Sequence, residues 1–407
     1  MKTLIKIAWR NCWKSPLRTS IVISSIIIGV WSSIFLMGFM DGMMASRKNN
    51  VINTRLGHLQ IHTPEYEFDP NILNSVKDPQ SVYKALDNHP NIIGYTDRFV
   101  TEGILKTARE QRGVKINGID VEKDRTTLLI TEKAEQGTFF SDEYKYPVAI
   151  GDKMASELKV GIGDKVSLSL TKPDSTQTSK NFKVSAIFKS GDAMYDNYNI
   201  FVPKEAIYKV IKTDQPIVHE IVVKLDDIEK ADLVKADLLQ TVEKDTVLTW
   251  LEADPYSAYA EDSYGMMIFV LMFVIIGALL FGIVNTVVMS ILERKREIGV
   301  LLAIGMTKKK IRTMIAIESM VYGLVGGPIG VLLGWLTTSY YNKNGFDLSN
   351  YGEAMESYGL DTVVYFNLPT QYYFIYAGLI MVATVIGSLY PAKIATRLNP
   401  IDAIRSI

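Results

Sequence analysis

Cysteine is nearly absent: Cys12 is the one example in 407 residues. That excludes an intrachain disulfide framework, and Cys12 itself reads as an ordinary apolar residue. The dipeptide Gly-Lys is missing altogether, so the chain has no G-x-x-x-x-G-K-[ST] loop to cradle nucleotide phosphates. H-E-x-x-H and G-x-S-x-G are missing as well, which removes the zinc-peptidase and nucleophile-elbow signatures. Gly161–Lys165 (GIGDK) precedes a strand rather than a helix, so it reads as a turn and not as a dinucleotide loop. His58 and His62 fall on one strand face with no cysteine or third histidine nearby, a poor start for a metal site. Net charge is absent too, since 44 Lys and Arg balance 44 Asp and Glu. A balanced total gives no argument for nucleic acid as a partner.

What the chain does have is segregation. Apolar residues gather in four runs, at 19–40, 266–292, 314–340 and 372–390. Each is close to the ~20 residues that a helix needs to cross ~30 Å of hydrocarbon. No polar stripe marks a solvent face in any of them, which argues against buried helices of a soluble protein. The first run exceeds the 7–15 apolar residues of a signal peptide (it has about 20) and lacks a clean cleavage site, so it reads as an uncleaved span. Basic residues flank particular ends: Lys2, Lys6, Arg10, Lys14 and Arg18 before the first run, and Lys393, Arg397 and Arg405 after the last. By the positive-inside bias, both termini and the 293–313 loop face the cytoplasm of a multi-pass protein of the inner membrane. Segments 1–18 (amphipathic) and 391–407 are then cytoplasmic, and 41–265 and the 341–371 loop are extracytoplasmic.

Segment 41–265 is too long for a loop and alternates like a folded domain. Gly57–Pro64 reads as a strand, and Asp78–Pro90 as a helix with Asp78 as N-cap and Pro79 at its first position. IIGYTDRFV and GILKTARE read as two strands, and DKVSLSLTK and NFKVSAIFKS as a hairpin around a polar tip. YNIFVPKEAIYKVI is strand then helix, IEKADLVKADLLQTVEK an amphipathic helix, and DTVLTWLE a last strand. The expected fold class is an α-helical membrane protein with four transmembrane helices plus a large α+β extracytoplasmic domain. Its ends are β-α-β units, and the middle, about 107–199, is an inserted β-rich subdomain.

In the third run, Gly326, Gly330 and Gly334 repeat every four residues, as do Gly323 and Gly327. Small residues on one face let helices approach closely in lipid; such a face serves packing within the chain or between two subunits. Pro328 should kink that helix. Asn285 is a strong amide in an apolar run and should face another helix. Glu318, near the start of the third run, is placed to reach the basic interface.

The densest charge lies between the second and third runs, in SILERKREIGVLLAIGMTKKKIRTM. By itself this is a cytoplasmic loop with a short helix along the membrane, whose Ile298, Leu301, Leu302 and Ile304 make apolar contacts. Thr307 is placed to cap the helix that follows. The stretch NTVVMSILERKREIGVLLAIGMTKKKI resembles the signature of the permeases of MacB-type ABC transporters, the superfamily that includes MacB, FtsX, LolC and LolE. YPAKIATRLNPIDAIRSI resembles the family's ending, and one span, a large outer domain and three further spans match its order. LGHLQIHTPEY, VKINGIDVEKD and IFKSGDAMYDNYNIFVP resemble segments of the lipoprotein-releasing LolC/LolE branch. The 341–371 loop is longer than that pattern.

The resemblance implies a transport subunit, not an enzyme, with no cofactor of its own; ATP and Mg would sit on a cytoplasmic ABC ATPase. Glu293, Arg294, Arg296, Glu297, Ile298, Gly299, Leu302, Gly305 and Met306 would form the coupling helix that docks on it. It implies a second permease copy or paralogue, a lipid or lipoprotein substrate, and a periplasmic carrier, for which the Lys172–Lys180 hairpin tip is a candidate contact. Drug or peptide efflux, or a scaffold activating a cell-wall hydrolase as in FtsX, are the alternatives. The missing phosphate loop gives a direct expectation. The purified chain turns over no ATP alone, and vanadate-sensitive hydrolysis without a co-purified ATPase would contradict it.

Overall fold

The computed structural model describes residues 6, 9–10, 13–14, 16–69, 71–213, 215–242, 244–357 and 359–397. Lys2, Cys12, Arg405 and the family-like ending from 398 onward lie outside the described residues, as does the side chain of Arg18. The chain divides into an α/β unit, Ala45–Ala260 with Leu348–Thr362, and a helical unit built from the remainder.

The α/β unit begins with a four-stranded sheet of β1 (Leu59–His62), β2 (Ile92–Lys106), β9 (Glu220–Leu225) and β10 (Thr246–Thr249), in the order β10-β1-β9-β2. Every pairing in it is antiparallel. A helix, Pro79–Asp87, lies between β1 and β2 in the chain, and another, Ala231–Thr241, between β9 and β10. This is a split β-α-β arrangement, in which each unit is separated by one strand of the other. Val82 and Leu86 from the first helix and Val234 and Leu238 from the second share a core with Ile61 and Val223. The Asp78 side chain caps the first helix by accepting from Ser81 N at 3.2 Å, with Pro79 in its first turn.

The segment between β2 and β9 closes a barrel. β3 (Gln111–Ile119), β5 (Pro147–Gly151), β6 (Lys165–Thr171), β7 (Gln177–Phe188) and β8 (Asn199–Pro203) join β2 in the ring β2-β3-β8-β5-β7-β6, which returns to β2; β4 (Ala134–Gly137) extends β7. Closure leaves the six strands without exposed edges. β6 alternates burial along its length, so Val166, Leu168 and Leu170 enter the interior with Phe182, Val184 and Ile150. β2 is one continuous strand of 15 residues, not the two expected from sequence. Its first half pairs with β9 and its second with β3 and β6. Gly103 makes this sharing sterically feasible, since a methyl there would lie 2.6 Å from the Ser169 carbonyl oxygen. The last expected strand also ends early: Trp250–Ala253 is helical, started by a capping box between Thr249 and Glu252.

The loop 348–362 belongs to this unit. Ser46 Oγ donates to Asp361 at 2.6 Å, and Gly359, with φ +70°, packs on Asp192.

In the helical unit the helices are numbered α1 (Pro16–Val51), α2 (Pro255–Glu293), α3 (Lys295–Ala303), α4 (Lys308–Asn344) and α5 (Thr370–Ala395). All but α3 are long and apolar enough to cross a membrane, and each contains one of the four apolar runs. A short ladder of Phe346–Asp347 (β11) with Val363–Val364 (β12) joins α4 to α5. Phe35, Phe39, Tyr341, Phe346 and Phe366 pack around it, with Phe35 edge to face on Phe366 and Phe39 and Tyr341 edge to face on Phe346.

Gly326, Gly330 and Gly334 meet α1. Methyls added there would lie 2.9 Å from Ile26, 2.6 Å from Val30 and 2.7 Å from Ile34, respectively. Two four-residue repeats thus mesh, and the glycines let α1 and α4 approach at backbone distance. Gly323 faces α5, where a methyl would lie 3.0 Å from Thr384 Oγ1. Gly327 is buried in α4, but a methyl there would meet nothing within 4 Å. Pro328, beside it, lies inside α4.

Asp196, in the turn before β8, carries a pH signature. Burial pushes its carboxyl up to about 7 from 3.8, although Ser190 N–H donates to both its oxygens at 3.2 and 3.1 Å. Between those two values the folded chain binds the proton and the unfolded chain releases it, so stability falls as pH rises through that window and levels off above it. The melting temperature of the full chain should decrease from about pH 5 to about pH 8, and Asp196→Asn should flatten that slope.

Candidate coupling site

The site is built where α2 ends. The helix stops at Glu293, and Arg294 adopts φ −99°, ψ 18°, which turns the chain into α3. Arg294 Nη1 lies 3.2 Å from Glu318 Oε1 on α4, and its Nε lies 3.2 Å from Glu297 Oε2 in the first turn of α3. Glu297 also accepts from Lys14 Nζ. Burial opposes the Arg294 charge, but Glu318 and Glu297 more than offset it and raise its pKa above the usual value. The Lys14 and Arg294 hydrogen bonds hold the Glu297 carboxyl below the usual range. An acid in the first turn also suits the positive end of the helix dipole.

Arg294 and Glu297 are therefore paired within the chain, while the Glu297 side chain stays 45% exposed. Glu318 meets the arginine at the junction. Ile298 and Gly299 are buried, and Leu302 and Met306 pack against the core of the long helices with Ile311 and Ile315. The opposite face of α3 is bare: Arg296 is exposed, as are Val300 at 44% and, at the C-cap just past the helix, Ile304 at 74%. Arg296, Val300 and Ala303 fall at i, i+4 and i+7, one side of the helix. Val300 and Ala303 were not singled out from sequence. Their signal was the same period read on the face away from Ile298 and Leu302. Gly305 sits at φ +93° in the turn into α4, a backbone state that favours glycine. Thr307 is the N-cap of α4, but its hydroxyl makes no capping bond.

Asn285 lies apart from this cluster, on the α2 side of a groove lined by Leu17, Ile21 and Met289. It is exposed and makes no hydrogen bond among the described residues, although an amide in an apolar run is expected to meet another helix. Among the described residues no group of His, Cys, Asp and Glu could hold a metal. His58 Nδ1 accepts from Leu225 N at 2.9 Å, and His62 Nδ1 lies 2.9 Å from the Thr63 carbonyl oxygen.

Comparison with known proteins places these elements. Residues 19–241 match the MacB-like periplasmic core domain, and residues 269–400 match the FtsX-like permease C-terminal family. The lipoprotein-releasing system transmembrane protein LolC of Neisseria meningitidis serogroup B is 24% identical over 405 residues, covering 95% of this chain and 94% of that protein. LolE of Haemophilus influenzae is 20% identical over 429 residues and covers both chains in full. The macrolide export ATP-binding/permease protein MacB 1 of Yersinia pestis is 23% identical over 98% of this chain but 59% of its own length. With a MacB-like core domain matched over more than half its length and an FtsX-like module behind it, this membrane protein belongs to the MacB-type family of ABC transporter permeases, alongside LolC and LolE.

Proposed function

We propose that this permease couples ATP hydrolysis by a separate cytoplasmic ATPase to motion of its α/β unit, and so releases lipoproteins or a similar lipid-bearing substrate from the inner membrane. The carrying observation is the two-sided build of α3. One face is fixed to the long helices through Ile298 and Leu302, and its start is pinned by Arg294 to Glu318 on α4. The other face leaves Arg296, Val300 and Ile304 uncovered. A helix fixed on one side and bare on the other transmits a push from a docked partner to the spans. The basic flanks put this face in the cytoplasm and the α/β unit outside. ATP and Mg belong to the ATPase. A second permease copy or paralogue would give Asn285 its partner.

Lipoprotein release is preferred to drug or peptide efflux because the LolC and LolE relatives align with this chain over nearly their own whole length. A periplasmic carrier would receive the released substrate.

Glu297 is a poor test of docking, because Lys14 and Arg294 already bind it inside the chain. Ile304→Asp, on the bare face, should insert normally and melt as wild type yet retain its ATPase at least about tenfold more weakly, a loss of about 1.4 kcal/mol. Arg294→Gln should instead lose about 1–3 kcal/mol of stability, because the charge-assisted bond to Glu318 is lost. ATPase co-purification and thermal melts in detergent separate the two. Wild-type co-purification of Ile304→Asp would sink the docking role.

A further inference from the structure

A groove of about 450 Å³ runs between α4 and α5. Its α4 wall is Gly327, Val331 and Trp335, and its α5 wall is Thr370, Ala377 and Met381. Gly327 opens it, because nothing lies within 4 Å of where a side chain would begin. The residues on each wall recur at the spacing of one helix face, so the groove follows the helix axes. From Trp335 to Gly327 is about 12 Å of helix, and from Thr370 to Met381 about 16 Å. The α5 wall starts at Thr370, the first residue of α5, and the α4 wall at Trp335, about 13 Å of helix inside the Asn344 end of α4; both stop near mid-helix. That length is about half of a ~30 Å hydrocarbon core, the depth of one leaflet. Its polar groups, the Trp335 indole, the Thr370 hydroxyl and the Tyr373 hydroxyl, which is bonded to Thr338, lie toward the end where an aromatic belt meets headgroups. The rest is apolar.

We propose that this groove holds one acyl chain of a resident membrane phospholipid from the leaflet on the side of the 345–369 connection. Several features favour a single chain as occupant. The groove runs along the helices and not across them, it is one leaflet deep, and it is polar at one end only. A helix from a second copy would instead need a face running the length of α4. The lipid would fill the space left by Gly327 and support the α4–α5 pair. This site is separate from the coupling face and does not depend on the proposed substrate.

The test uses the full chain in detergent after exchange into 1-palmitoyl-2-oleoyl phosphatidylethanolamine, with native mass spectrometry as the readout. Wild type should keep one lipid per chain after surrounding lipid is stripped. Ala377→Trp, which fills the groove, should lower the retained fraction about tenfold. The milder Ala377→Phe should lower it less, which keeps the test usable if the tryptophan variant fails to fold. Ile375→Trp, adding the same bulk on an exposed position outside the groove, should retain lipid as wild type does. Equal retention by wild type and the Ala377 variants would overturn the proposal, as would a stripped wild type that keeps none. Dimer cross-linking through a cysteine introduced at Ala377 would assign the groove to a second copy and overturn it as well. Retention of added triacylated lipoprotein but of no phosphatidylethanolamine would assign it to the substrate, with the same consequence.

Discussion

Asp97 and Arg98, adjacent on β2, stand where the four-stranded sheet gives way to the barrel. Each puts a charge where water is largely excluded. A buried charge is tolerated only when an opposite charge meets it in good geometry. Asp97 Oδ2 lies 2.6 Å from Lys204 Nζ, and Arg98 Nη2 lies 2.9 Å from Asp124 Oδ1. Lys204 begins the helix after β8, and Asp124 sits on the helix after β3. Both partners thus come from the inserted segment, so the pairs dictate how the barrel is attached to the sheet. Arg98 also donates to the Arg55 carbonyl oxygen at 3.1 Å. Arg55 in turn pairs with Asp254 and, at 3.8 Å, with Asp192. A continuous polar chain therefore joins the barrel joint to Arg55, just past the end of α1, and to Asp254, just before α2.

The helical unit obeys the same rule with fewer charges. Arg294 and Glu318 are the pair nearest its core, with side-chain exposures of 17% and 10%. Their contact fixes where α3 begins relative to α4. Where α1 meets α4 along the glycine face, close approach takes the place of charge. Glycines on α4 take Ile26, Val30 and Ile34 of α1 into their gaps. In lipid, where apolar burial gives no net drive between helices, such shape matching is the main source of association.

Ion pairs and meshed glycines have few alternative arrangements of similar energy, so the elements they join move as bodies. α3 differs, with one face fixed and the other uncovered, and the proposed coupling role rests on that asymmetry.

Much of this was legible in the chain. Four apolar runs of span length are a local property, and so are the Asp78 cap, the alternation of β6 and the polar hairpin tip after it. The charge cluster at 293–313 was visible as a site, because composition alone sets it apart. Other features depend on residues far apart in sequence. β2 read as two strands because Thr101, Glu102 and Gly103 interrupt its apolar pattern; pairing first with β9 and then with β3 and β6 makes it one. The glycine period on α4 was plain, yet its partner was not, and only packing on α1 made it an intrachain contact while leaving Gly327 open. Arg294 looked free to reach a partner protein until Glu318, 24 residues away, was brought to it by the turn at Gly305. Periodicity and composition settle which face of an element is apolar. Which element meets that face is decided by tertiary structure, because buried charges must find their counter-charges and side chains must find the gaps that fit them.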